Sequence, residues 1–137
     1  MRNADGVRNL LSIVRGESEL FVIVSAMGKT TNALERIFDA LRKGDKMTAV
    51  RETGECQAYH QTIIADLFGE GCRVEKADRF FDELRDFIST GRYDEAHAEE
   101  WYDRTVAYGE LVSTSIVAEY LAHEGVANRW VDMRKCF

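Results

Sequence analysis

Apolar positions along the chain follow two rhythms. Leu34, Ile37, Phe38 and Leu41 recur at i, i+3, i+4 and i+7, the spacing of one helix face. Just ahead of them, Leu20-Phe21-Val22-Ile23-Val24 is an unbroken apolar run between Glu19 and Ser25, the composition of a fully buried strand. The predicted order is strand, turn, helix. The turn is Ser25-Ala26-Met27-Gly28-Lys29-Thr30-Thr31-Asn32.

Elsewhere glycine supplies the punctuation, since the sequence contains no proline to break a helix. A first helix is predicted from Asp5 to Arg15, with Val7, Leu10, Leu11 and Val14 inward and Gly16 closing it. The helix after the turn ends near Lys43, and Gly44 and Asp45 lead into a longer one that reaches Phe68 and stops at Gly69 to Gly71. Val74 to Ser89 forms another, with Phe80, Phe81, Leu84, Phe87 and Ile88 on one side and Arg79, Asp82, Glu83, Arg85 and Asp86 on the other. That aromatic stripe reads as core. A last long helix runs from about Glu95 or Asp103 to His123, where Glu124-Gly125 ends it.

The tail alternates Trp130 and Asp132 against Val131 and Met133, which predicts a second strand from Val126 to Arg134. About a hundred helical residues separate the two strands. Two strands alone make no stable sheet, so the expectation is one unit spanning 1–137 that forms part of a larger α/β domain, predominantly helical with few strands.

The turn 25–32 is where such a domain would bind an anion. Unpaired N–H groups and the positive end of the helix dipole favour a carboxylate or phosphate, and Thr30, Thr31 and Asn32 add side-chain donors. Gly28-Lys29-Thr30 suggests a P-loop, but that loop needs glycine five residues before its Gly-Lys-Thr, and Ile23 stands there. The other reading is a plain connector with Thr or Asn as helix N-cap.

A second candidate is Tyr108-Gly109-Glu110-Leu111-Val112-Ser113-Thr114 in the last helix. Glu110 shares a face with Val106, Ser113, Val117 and Leu121, so its carboxylate is expected along an apolar side. A carboxylate withdrawn from water needs hydrogen bonds or a countercharge. Gly109 lets a backbone or ligand approach the helix closely. The competing reading makes Glu110 a surface helix residue, with Ser113 and Thr114 bonded back to their own helix.

Composition narrows the classes. Eighteen basic against twenty-four acidic residues leave a net charge of −6, and no stretch concentrates Lys and Arg as a nucleic-acid-binding face does. No apolar run approaches the roughly 20 residues that cross a bilayer, and no signal peptide is evident, so a cytoplasmic location is expected. Cys56, Cys72 and Cys136 lack the spacing of a disulfide framework or zinc site. His60, His97 and His123 are scattered, and none is assigned a metal or nucleophilic role.

Taken together, Ser25 to Asn32, Tyr108 to Thr114 and Trp130-Val131-Asp132-Met133-Arg134-Lys135 resemble aspartate kinase, of the amino-acid kinase superfamily with its carbamate kinase-like fold. The resemblance implies transfer of phosphate from ATP to the β-carboxylate of L-aspartate, the first step toward lysine, threonine and methionine. It places Ser25 in the turn at the end of the first strand, matches Thr31 to an aspartate-contacting threonine, and matches Glu110 to the acid that pairs with the α-ammonium. Gly28 and Gly109 would supply backbone at that substrate site.

The family's Lys-Phe-Gly-Gly-Thr-Ser strand, whose lysine and glycines hold the transferring phosphate, is not in this sequence, nor is its Gly-Arg-Gly-Gly-Ser-Asp segment. Phosphoryl transfer depends on charge stabilisation around the transferring group, so the expectation is an aspartate kinase fragment, inactive alone. ATP and Mg²⁺ belong to the parent reaction, and neither is expected to bind this chain tightly. The strand Leu20 to Val24 would then be uncovered, which implies a homo-oligomer. The alternative is a non-catalytic helical module that binds a partner protein or a small anion.

Overall fold

The computed structural model describes residues 2–17 and 19–136. Five α-helices account for nearly all of its regular structure: α1 Ala4–Val14, α2 Thr30–Arg42, α3 Lys46–Phe68, α4 Glu75–Thr90 and α5 Ala98–His123. Single 3₁₀ turns at Glu95–His97 and Met133–Lys135 complete it.

Local chemistry explains the helix ends. The Asn3 side chain accepts from the Gly6 amide to start α1, and Gly16, at φ 93°, takes the chain away from it. Asp45 caps α3 through the Thr48 amide and hydroxyl. Gly44 at φ 72° lets the Asp45 amide return to the Ala40 carbonyl, 2.8 Å away, so α2 and α3 form a tight hairpin. At the other end Gly125, at φ 86°, allows the Val126 amide to bond the Leu121 carbonyl at 2.8 Å and close α5.

Helix α2 packs on α3, α3 on α4, α4 on α5 and α5 on α2, a closed ring of four helices. Leu34, Ile37, Ile63, Ile64, Leu84, Ile88, Val112 and Ile116 meet inside it, all essentially without solvent exposure. Each such side chain removed from water contributes about 1.5–3 kcal/mol, which makes this ring the stable part of the molecule. The stripe on α4 is core: Phe80, Phe81, Leu84, Phe87 and Ile88 are all buried. Helix α1 lies against α3 and α5 through Val7, Leu11 and Val14.

The expected α/β class is overturned. Helix makes up 71% of the structure, and the described residues contain no strand and no sheet. The molecule is a small helical bundle and not an α/β kinase fold. The segment 20–24 is unpaired, and among the described residues 19–26 make no backbone-to-backbone hydrogen bond. Val126 to Arg134 is likewise no strand; it runs irregularly to Asp132 and then makes its 3₁₀ turn. The physical reason is that apolar composition favours a strand only where a neighbouring backbone supplies the ladder, and neither segment has one here.

Candidate functional site

The turn 25–31 is built on α5. Ser113, fully buried, donates its hydroxyl to the Ser25 carbonyl at 2.8 Å across 88 residues of chain. Gly109, one helical turn earlier, is the point of closest approach. A Cβ placed on it would lie 2.9 Å from Ala26 Cβ, 3.0 Å from Leu34 Cδ1 and 3.4 Å from Thr30 Cγ2. The room glycine leaves is therefore taken by the turn and the first coils of α2.

Gly28 turns the chain at φ 53°, and the Tyr59 hydroxyl, which donates to the Arg2 carbonyl at 2.5 Å, occupies the place a Cβ would need. Beyond it α2 begins without a side-chain cap; Lys29 holds the cap position. The competing reading, a cap by Thr or Asn, does not hold, because Thr30 is already the first residue of the helix and turns its hydroxyl inward to the Met27 carbonyl. Thr31 and Asn32 are exposed, and among the described residues their amides have no backbone or side-chain acceptor outside the helix. Such amides can receive a carboxylate.

The third sequence motif reaches the second. The Trp130 indole N–H donates to Thr114 Oγ1 at 2.9 Å, while Thr114 Oγ1 itself donates to the Glu110 carbonyl at 2.6 Å. Lys76 stands 4.1 Å over the Trp130 ring, and Phe80 packs beside it. Glu83 accepts from both the Tyr108 hydroxyl at 3.1 Å and Arg134 at 2.9 Å. Arg134 also grips Asp132 and holds that carboxyl below the usual carboxylate range. Burial, reinforced by Glu83, pushes the Tyr108 phenol up to about 12, so it remains a neutral donor.

Between the two extended segments and α5 lies an open groove of about 790 Å³. Val22, Val24, Glu110, Val117, Leu121 and Trp130 are among the residues that line it. Glu110 is exposed, and its carboxylate makes no ion pair among the described residues. The face shared with Val117 and Leu121 is as the spacing predicts, but the groove is open, so the carboxylate keeps contact with water. Ser25, Gly28 and Thr31 are not part of the groove lining. The structure thus joins the three motifs through Ser25, Gly109, Ser113, Thr114 and Trp130, and leaves Thr31 and Glu110 on separate surfaces of the joint.

Sequence reasoning missed His60 and Glu83. His60 is buried on α3, four residues from buried Cys56 on the same face, a spacing that could have flagged the pair. Glu83 looked like one charge among many on the polar side of α4. Burial raises the Cys56 thiol to about 12, which leaves it inert, and Cys72 and Cys136 are free and exposed. Among the described residues no three His, Cys, Asp or Glu side chains stand close enough to hold a metal ion. Among the described residues no helix is long and apolar enough to cross a membrane.

No family model matches the chain, and neither the curated proteins nor the solved structures give a significant match.

Proposed function

We propose that this chain is the amino-acid-binding portion of an aspartate kinase, inactive alone, which binds L-aspartate in the cytoplasm. The observation that carries the reading is the meeting of three motifs far apart in sequence: Ser25 is bonded to Ser113, Gly109 seats Ala26 and Thr30, and Trp130 is bonded to Thr114. In this reading Glu110, open to the groove and without an ion pair among the described residues, pairs with the α-ammonium of L-aspartate, while Thr31 lies outside the groove and takes no contact with the same molecule. The proposed role is binding. No step is routed through Mg²⁺ or ATP, which would come with the rest of the parent enzyme.

A titration with L-aspartate followed by amide NMR shifts tests this. Millimolar aspartate is expected to move the resonances of Glu110, Thr114 and Trp130, which line the groove, and Glu110→Ala is expected to abolish the response with the helical circular dichroism intact. A wild-type chain that does not respond sinks the proposal.

A second reading, a non-catalytic helical module that binds a partner protein, including another copy of itself, is favoured by one observation. Leu20, Phe21 and Ile23 are 56%, 69% and 85% exposed beside the groove, an apolar cluster that water does not favour. Sedimentation at micromolar concentration is expected to show a dimer or higher species that Phe21→Ser with Ile23→Ser shifts toward monomer. A wild-type monomer removes self-association.

A further inference from the structure

Leu20 to Val24 is short of cover in two ways at once. Among the described residues its main chain makes no hydrogen bond, and Leu20, Phe21, Val22 and Ile23 all keep more than a third of their surface in water. Nothing within the run discourages a neighbouring strand: it holds no charge, proline or glycine, and Val, Ile and Phe are strand formers. The other extended segment, 126–132, differs on both counts. It carries Arg129 and Asp132, and it is bonded to α5 at Val126, Asn128 and Trp130. An open, uncharged edge is a template for a second strand, and the strand that matches it is the same run on a second copy.

A twofold axis at Val22 sets two such runs antiparallel. In that register Val22 faces Val22 of the second copy, Leu20 faces Val24, and Phe21 faces Ile23. Side chains alternate along a strand, so Phe21 and Ile23 share a face, and they are the most exposed members of the run. The symmetry therefore places an aromatic ring against a β-branched side chain twice, on the face where both now meet water. Val22 and Val24 line the groove with Val117 and Leu121, so each strand of the pair is backed by its own α5.

Charge selects the direction. In a parallel pair Glu19 would stand directly against Glu19 of the second copy, whereas the antiparallel pair sets it opposite Ser25 and holds the two carboxylates about 20 Å apart. The exposed parts of Leu20 to Ile23 amount to about 450 Å² per copy. Two copies bury about 900 Å² in all, the size of a weak, reversible interface.

We propose, resting on the second reading above, that the chain pairs with a second copy of itself through Leu20 to Val24, as an antiparallel two-stranded ladder with its twofold axis at Val22.

Disulfide crosslinking reads the register. In a Cys72→Ser, Cys136→Ser background the remaining thiol, Cys56, is buried. Opposite residues of antiparallel strands have Cα atoms about 4.5–5.5 Å apart, within disulfide reach, while Leu20 would lie about 14 Å from its own copy. With oxidised glutathione, Val22→Cys is expected to become a covalent dimer, and Leu20→Cys and Val24→Cys each to stay monomeric. An equal mixture of those two is expected to crosslink with each other. Equal crosslinking at all three positions overturns the ladder. So does a wild-type dimer in sedimentation with no crosslink at Val22, an outcome that leaves self-association standing without this mode of pairing. A wild-type monomer at micromolar concentration removes both.

Discussion

The ring α2 to α5 and the pair of extended segments, 19–26 and 126–132, are built from similarly apolar sequence and end in opposite states. Ile37, Ile88 and Ile116 are fully buried in the ring, while Ile23 is 85% exposed. The difference lies in the backbone. A helix satisfies its own N–H and C=O groups, so an apolar helix face needs only other side chains to cover it. An extended segment needs a neighbour for its main chain as well, and side-chain hydrophobicity does not provide one. Where α5 supplies partners, at Ser25, Val126, Asn128 and Trp130, the extended segments are tethered; among the described residues 20–24 make no such bond.

The sharpest way to break this comparison is to truncate one residue from each region. Leu84→Ala in the ring is expected to cost about 2–5 kcal/mol in urea unfolding, and Ile23→Ala less than about 0.5 kcal/mol. Equal costs would mean that the extended segment carries as much of the folded state as the bundle. Next in size is Gly109→Ala, which sits at the junction of the two regions. The added Cβ meets Ala26 and Leu34 at about 3 Å, and overpacking of this kind costs about 1–3 kcal/mol. Thermal unfolding and the resonances of Ala26 and Thr30 should both report it, and a neutral result would show that the turn is free to move off α5.

The smallest effect is a dependence on pH. Burial holds the His60 imidazole below its ordinary 6.5, so as pH falls below 6.5 the unfolded chain takes up a proton that the folded ring refuses. Stability is therefore complete above 6.5 and declines as pH drops from there toward the folded value. His97 works with the opposite sign, because the exposed Asp94 pair raises it and its contribution fades as pH climbs past 6.5. Comparing unfolding of wild type with His60→Gln between pH 5 and 6.5 isolates the buried ring. Parallel curves would show that it is not desolvated.

The helical part of this architecture was legible in the sequence because period and punctuation agree there. Val7, Leu11 and Val14, the stripe from Phe80 to Ile88, and the breaks at Gly44, Gly69 and Gly125 all sit where the pattern puts them; most helix ends are shifted by a residue or so, and α5 starts at Ala98, between the two predicted positions Glu95 and Asp103. The strands were misread because a local apolar run says that a segment wants cover and says nothing of whether a pairing backbone is present. Of the candidate site, the short motifs pointed to Ser25, Gly28, Thr31, Gly109 and Glu110 as residues. That Gly109 and Ser113 seat the turn, and that Glu83 joins Tyr108 to Arg134, depends on contacts between segments distant in sequence. No local spacing carries that information.

The exposed run at Leu20 to Ile23 has one further consequence, for the chain's lifetime in the presence of peptidases. Peptidases bind their substrates as extended, accessible backbone, and those that favour large apolar side chains would find Leu20 and Phe21 already in that shape. A cut there would divide α1 from the four-helix ring without entering the ring itself. Phe38, Phe81 and Phe87 offer the same chemistry to a peptidase, yet each lies in a helix and is buried, so the first wound falls at the apolar run.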